Sequence, residues 1–247
     1  MGNKLLCGGV TDRLHDKSLT VRWHENIDRP VPSGETLLTI ACQDAHQEEL
    51  LQKLLREGAS VNKVNRNGNS PLHVAIRERN EEAVDLLLEY QADVNVRDTS
   101  GLTPLHLACV NKDLAIATLL LEKGANVDQR DWWQNTALLK AVQCGSEDLV
   151  KLQLQHNADP NVCNRFGGSA LHYATIADYC AISRLLVDAG CHLHTQPGSD
   201  KDSSYRYSPL AAAIHRDCFD CFCFFLDRGA EVNGEDVKRK TPLVYSL

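Results

Sequence analysis

No apolar run in the 247-residue chain is long enough to cross a bilayer, and the start, Met1-Gly-Asn-Lys-Leu-Leu-Cys7, lacks the apolar stretch of a secretory signal. Both absences place the expected setting in the cytoplasm, with the nucleus also open. Positive charge is not in excess either. Against 33 Asp and Glu there are 26 Lys and Arg, a net charge of −7 spread along the chain. Affinity for nucleic acid comes mainly from cations neutralising phosphates, so no nucleic-acid partner is expected. Also missing are a Gly-rich phosphate loop, a nucleophile elbow and a paired-carboxylate signature; Gly167-Gly168 belongs to the turn before Ser169. The reading is therefore of a non-enzyme, with no catalytic residue and no cofactor. What the chain does have is a composition able to bury a core, 43% apolar and 24% charged.

The ten cysteines are read through the compartment. Thiols of the cytosol or nucleus stay reduced, so a disulfide framework is not expected. Cys42, Cys109 and Cys144 follow closely on an Ala or Val in equivalent stretches, as small buried hydrophobes would. Cys218-Phe-Asp-Cys221-Phe-Cys223 has the spacing of half a zinc site. No second Cys or His pair of that spacing follows, and no metal ligand is assigned.

The chain superposes on itself. Thr103-Pro104-Leu105-His106-Leu107-Ala108 returns 33 residues upstream as Ser70-Pro-Leu-His-Val-Ala. Downstream it returns, at steps of 33, as Thr136-Ala-Leu-Leu-Lys-Ala and Ser169-Ala-Leu-His-Tyr-Ala. Ser208-Pro-Leu-Ala-Ala-Ala follows after 39 residues, Thr241-Pro-Leu after another 33, and a weaker first copy opens at Thr36. A second motif keeps phase: Gly58-Ala-Ser-Val-Asn62, Gln91-Ala-Asp-Val-Asn95, Gly124-Ala-Asn-Val-Asp128, Asn157-Ala-Asp-Pro-Asn161, Gly190-Cys-His-Leu-His194 and Gly229-Ala-Glu-Val-Asn233.

Each position has a physical reading. Thr103 accepts from the free amides of a helix start, and Pro104 in the first turn loses no needed donor. His106 can reach the backbone of a neighbouring unit, and its recurrence as His73 and His172 makes the role structural. Ala108 lets two helices approach. A second helix is expected from about Leu114 to Leu121, ended by Gly124 in the left-handed conformation. Asn157 tolerates that conformation; Gln91 does so less well.

The two phased motifs resemble those of the ankyrin repeat family. The resemblance implies an all-α solenoid of stacked helix-turn-helix units with projecting β-turn or hairpin loops. Residues 1–33 are read as a leader, and 34–247 as the repeat domain. The units fall at about 34–66, 67–99, 100–132, 133–165, 166–204 with an inserted loop, 205–237, and a partial 238–247. Because the last unit stops inside its first helix, further sequence is expected in the natural protein. In the leader, Met1-Gly2 suggests myristoylation and Cys7 a second acyl anchor, although Leu6 stands where the motif wants Ser or Thr. Only such acylation would bring a membrane partner. Trp23 is read as covering the first unit's apolar side.

Arrays of this family bind proteins or peptides along the concave side, using turn tips and the exposed end of the inner helix. Carried over by phase, that implies Arg66, Asn67, Asn69 and Arg77 in the second unit, and Leu102 and Asn111 in the third. The fourth offers Trp132, Trp133, Asn135 and Gln143, the fifth Arg165 and Phe166, the sixth Tyr205, Tyr207, His215 and Arg216. Aromatics beside Arg are the composition of binding hot spots. Trp132 or Trp133 folded back on a neighbouring turn is the structural alternative. The family also implies asparaginyl hydroxylation at Asn62, Asn95, Asn161 and Asn233. The leading function is a monomeric adaptor or scaffold. A substrate-recognition subunit of a cullin-type ubiquitin ligase, with its box beyond Leu247, and the targeting arm of a larger enzyme are the alternatives.

Overall fold

A computed structural model describes residues 27–193 and 208–232. Thr36, Ser70, Thr103, Thr136, Ser169 and Ser208 each cap the first helix of a repeat in extended backbone, the side-chain oxygen accepting from the third helical amide. The helices so begun are α1 (Leu37–Ala41), α3 (Pro71–Glu78), α5 (Pro104–Asn111), α7 (Ala137–Gln143), α9 (Ala170–Ile176) and α11 (Pro209–His215). Each is followed by an antiparallel-style return: α2 (Glu48–Arg56), α4 (Glu81–Glu89), α6 (Leu114–Glu122), α8 (Glu147–Gln155), α10 (Cys180–Asp188) and α12 (Phe219–Asp227). The expected second helix at 114–121 is one residue longer. Its stop is as expected: Gly124 has φ 87°, and Gln91 and Asn157 hold the same slot at φ 60° and 63°.

Contacts divide the chain into two units at the Ala92–Asp93 junction. In the first, Leu38, Ala41, Leu51, Leu54, Leu72, Ala75, Ile76 and Leu87 are buried. In the second, Leu105, Ala108, Leu120, Leu138, Ala141, Leu149, Leu171, Ala174, Leu186, Ala213 and Phe225 form the core. Ala75, Ala108, Ala141, Ala174 and Ala213 recur at one slot with no exposed surface, where a larger side chain would hold the helices apart. Cys42 and Cys109 are equally buried, but Cys144 lies two residues later in its repeat and is only half-buried, its thiol 3.9 Å from the Val110 carbonyl.

The projecting loops are tight turns. Among the described residues there is no strand, only an isolated antiparallel bridge between Cys163 and Ser169. The reason lies five residues before four of the caps, Ser70, Thr103, Thr136 and Ser169, where Asn65, Asp98, Asp131 and Asn164 recur. One side-chain oxygen of each accepts two main-chain amides: Asn67 and Asn69, Ser100 and Leu102, Trp133 and Asn135, Phe166 and Gly168, all at 2.8–3.0 Å. Amides that a hairpin ladder would use are spent on these side chains. No described helix is long and apolar enough to cross a membrane.

Candidate partner-binding face

The turn tips of the second unit are fixed from beneath. Asp131 is fully buried, holds the Asn135 side-chain amide at 3.0 Å and takes the Lys140 ammonium at 3.0 Å. Burial pushes its carboxyl up, but the amides of Asn135 and the Lys140 charge outweigh that and hold it below the usual aspartate range. Neighbouring tips are tied through the main chain: Trp132 N–H donates to Ser100 at 3.2 Å, and Arg165 N–H to Trp133 at 2.9 Å.

On this platform stand three large aromatics. Trp132, Trp133 and Phe166 are 53%, 44% and 46% exposed. Trp132 does fold back. Its indole N–H donates to the Thr99 carbonyl at 2.8 Å, and the Arg97 guanidinium lies 4.1 Å from its ring centre. Arg97 in turn donates to the Arg130 carbonyl. A Cβ on Gly101, at φ 77°, would come within 2.9 Å of the indole, so the ring rests on the bare backbone there. Trp132 therefore stiffens the tips while its outer face stays open. Trp133 is held only by its backbone among the described contacts. Arg165 lies 5.8 Å above the Phe166 ring, a cation–π contact at the surface.

The other positions named from the sequence divide. Arg66, Asn67, Arg77, Gln143, His215 and Arg216 are exposed, while Leu102 and Asn111 are half-buried. Asn69 and Asn135 are buried and belong to the tip scaffold; Asn69 also accepts from Arg77 at 3.2 Å. Tyr205, Tyr207, Gly2, Cys7, Trp23 and Asn233 lie outside the described residues, so the aromatic stripe is seen in the fourth and fifth repeats only.

On the closing turns, Asn95 and Asn161 each clamp the next repeat. Their side-chain oxygens accept from Asn126 and His192 amides at 2.7 and 2.8 Å, and their amide groups donate to Gly124 and Gly190 carbonyls at 3.3 Å. Asp128 does half of this, accepting from Asp159 at 3.0 Å. Asn62 occupies the same slot in the first unit and is exposed. The recurrence of Asn or Asp at this slot was the sequence signal for a clamp.

Companions for Cys218 and Cys221 do exist, but they come from the preceding repeat. Cys180 brings its sulfur to 3.2 Å and 2.8 Å of theirs, and an oxygen of Asp178 lies 3.6 Å from it. Cys180 lies 38 residues upstream of Cys218, so no short motif along the chain joins them.

Repeated capped helix pairs with side-chain-locked tips define a repeat-protein interaction fold. The family described as "Ankyrin repeats (3 copies)" matches residues 10–98, 38–131, 92–162 and 138–236, and the chain belongs to it. The ankyrin repeat domain of Bcl-3, described as a unique member of the IkappaB protein family, has a similar structure. The match has a TM-score of 0.75 and 24% identity, and it covers 87% of this chain and 95% of that one. It establishes the ankyrin solenoid fold. Among curated proteins, none matches in sequence. With 574 solved chains sharing the fold, the fold alone selects no partner.

Proposed function

We propose that the chain is an adaptor or scaffold of the cytosol or nucleus that binds an extended peptide or protein edge on its turn tips. Ankyrin repeats are in general protein–protein interaction modules, which supplies the class. The observation that supports this particular face is the aromatic row Trp132, Trp133 and Phe166, exposed on consecutive tips that the buried Asp131 and Asn164 hold rigid. Tips that are already rigid lose little backbone freedom on binding, and Arg130 and Arg165 beside the aromatics can pair with acidic groups of the partner. A row of this kind costs solubility without a use.

Because Trp132 also braces the tips, the clean test replaces its neighbours. Proximity labelling and pull-down are compared between wild type and Trp133→Ala/Phe166→Ala, with circular dichroism to verify folding. Loss of a discrete partner set in the folded variant supports the face. An unchanged partner list sinks it. The family resemblance also leads us to propose Asn62, Asn95 and Asn161 as hydroxylation sites. Peptide mass spectra from cells that show only unmodified asparagine would end that idea.

A further inference from the structure

Three thiols and a carboxylate meet where the return helices of the fifth and sixth repeats begin. Asp178 sits in the left-handed conformation (φ 59°) in the turn after α9, and Cys180 is the first residue of α10. Cys218 is the N-cap of α12, and Cys221 lies three residues further, one turn into the helix. Their four ligand atoms lie within 4.8 Å of one another. We propose that Asp178, Cys180, Cys218 and Cys221 form a zinc site that staples the fifth repeat to the sixth.

Four donors match zinc's usual coordination number and all are of types that bind it, three thiols with a carboxylate where structural sites more often carry Cys or His. Tetrahedral coordination at Zn–S of about 2.3 Å puts sulfurs about 3.8 Å apart. The sulfurs stand at 2.8 and 3.2 Å from Cys180, so side-chain rotations of about 1 Å or less admit the ion. Two sulfurs are buried and the Asp178 side is exposed, leaving the ion a way in from solvent. Burial pushes the Cys218 and Cys221 thiols up, and a bound cation would itself drive off their protons.

A further group fits this reading. Ser183, one turn along α10, is fully buried, and its hydroxyl makes no hydrogen bond of normal geometry. It lies near enough to act on the Cys221 sulfur, where it would donate to a metal-bound thiolate. Binding is not a redox step. Zn²⁺ displaces three thiol protons to solvent, forms three Zn–S bonds and one Zn–O bond, and oxidises nothing. A Cys180–Cys221 disulfide is the competing chemistry, but it leaves Cys218 and Asp178 without a role.

The test uses the full chain purified under a non-thiol reductant. Elemental analysis after zinc-supplemented expression is expected to give one zinc per chain. The metal-free protein titrated with Co²⁺ is expected to show thiolate-to-cobalt charge-transfer bands and the strong visible bands of tetrahedral cobalt. Cys180→Ser should weaken Co²⁺ binding more than about 100-fold and Ser183→Ala about tenfold, while Cys223→Ser, outside the cluster, leaves it unchanged. Asp178→Asn changes an exposed side chain and keeps the test open if a cysteine variant misfolds; it should blue-shift or weaken the visible bands. Folded wild type that takes up no zinc and shows no cobalt–thiolate band overturns the proposal. So does a Cys180→Ser variant that binds Co²⁺ as wild type does, or a protein whose mass is two protons short through a Cys180–Cys221 disulfide under the same reductant.

Discussion

At the scale of single residues, the repeat is informative because each slot is tried several times in one molecule. His106 is fully buried. One ring nitrogen meets the Thr103 hydroxyl at 2.8 Å, and the other meets the Asn135 carbonyl in the next repeat at 3.0 Å. Burial pulls its pKa below the ordinary histidine value. The unfolded chain takes the proton near pH 6.5, at which the folded chain resists it. His106 thus contributes its full stability above about pH 6.5 and loses it as pH falls from there toward its folded pKa. Leu139 occupies the same slot, also buried. His106→Leu is expected to cost about 1–3 kcal/mol at pH 7.5, because the Thr103 amide and hydroxyl and the Asn135 carbonyl all lose a ring partner. It should also flatten the fall in urea midpoint between pH 7.5 and 5.5, where the wild-type penalty is at most about 1.4 kcal/mol per pH unit. Gln153 is the opposite case. Fully buried where other repeats place Leu87, Leu120, Leu186 and Phe225, it has a side-chain oxygen without a partner, while its amide reaches Cys109 at 3.3 Å. Gln153→Leu removes the unpaired oxygen and is expected to raise stability by about 1–3 kcal/mol, read as an upward shift in thermal midpoint. A fall would show that the amide's bonds outweigh its orphaned oxygen.

At the scale of elements, the helices and the loops were legible to different degrees. The helices could be placed because Thr or Ser, Pro, Ala and the glycine of Gly124 act through local backbone preferences that need no partner. The loops were named only as turns or hairpins, although Asn65, Asp98, Asp131 and Asn164 announce the side-chain lock at a fixed distance before four caps. Nothing in the sequence shows which way a tryptophan turns, so the hydrogen bond from Trp132 to Thr99 was beyond it. Asp131 tests the lock. Asp131→Asn keeps the acceptor that Asn65 and Asn164 use, but it loses the Lys140 pair and turns an NH2 group toward the Asn135 amide, and should cost about 1–3 kcal/mol. Asp131→Ala strands the amides of Trp133 and Asn135 and is expected to cost about 2–4 kcal/mol. The tip should loosen with it, seen as stronger acrylamide quenching of tryptophan fluorescence at a temperature where the variant is still folded. Equal quenching in the two variants would mean that the backbone links between tips, and not Asp131, hold the aromatics.

At the scale of the whole molecule, the periodicity that revealed the family also hid the thiol cluster. Ligands donated by successive repeats are far apart in sequence, and Cys180 and Cys218 hold different slots of their repeats, 11 residues after Ser169 and 10 after Ser208. Charge shows a similar division between the total and the local. The chain carries −7, yet Arg97, Arg130 and Arg165 gather around the aromatic tips. An acidic partner is therefore repelled at long range and attracted at the face itself, two effects that salt screens to different extents. Exposed charges more than about 10 Å apart are largely screened at 0.1 M ionic strength, whereas contacts made after docking are much less affected. Once a partner is in hand, raising salt from about 0.05 to 0.5 M should change its association rate, and the direction reports which field dominates the encounter. For an acidic partner steered by the tip arginines the rate falls, and Arg130→Gln/Arg165→Gln should reduce that fall. Trp133→Ala/Phe166→Ala should instead raise the dissociation rate and leave the salt slope alone, because apolar burial is not screened. Stopped-flow or biolayer kinetics on both double variants separate the two contributions. A salt slope unchanged by the arginine substitutions would assign steering elsewhere on the surface and leave the aromatics as the face's whole contribution.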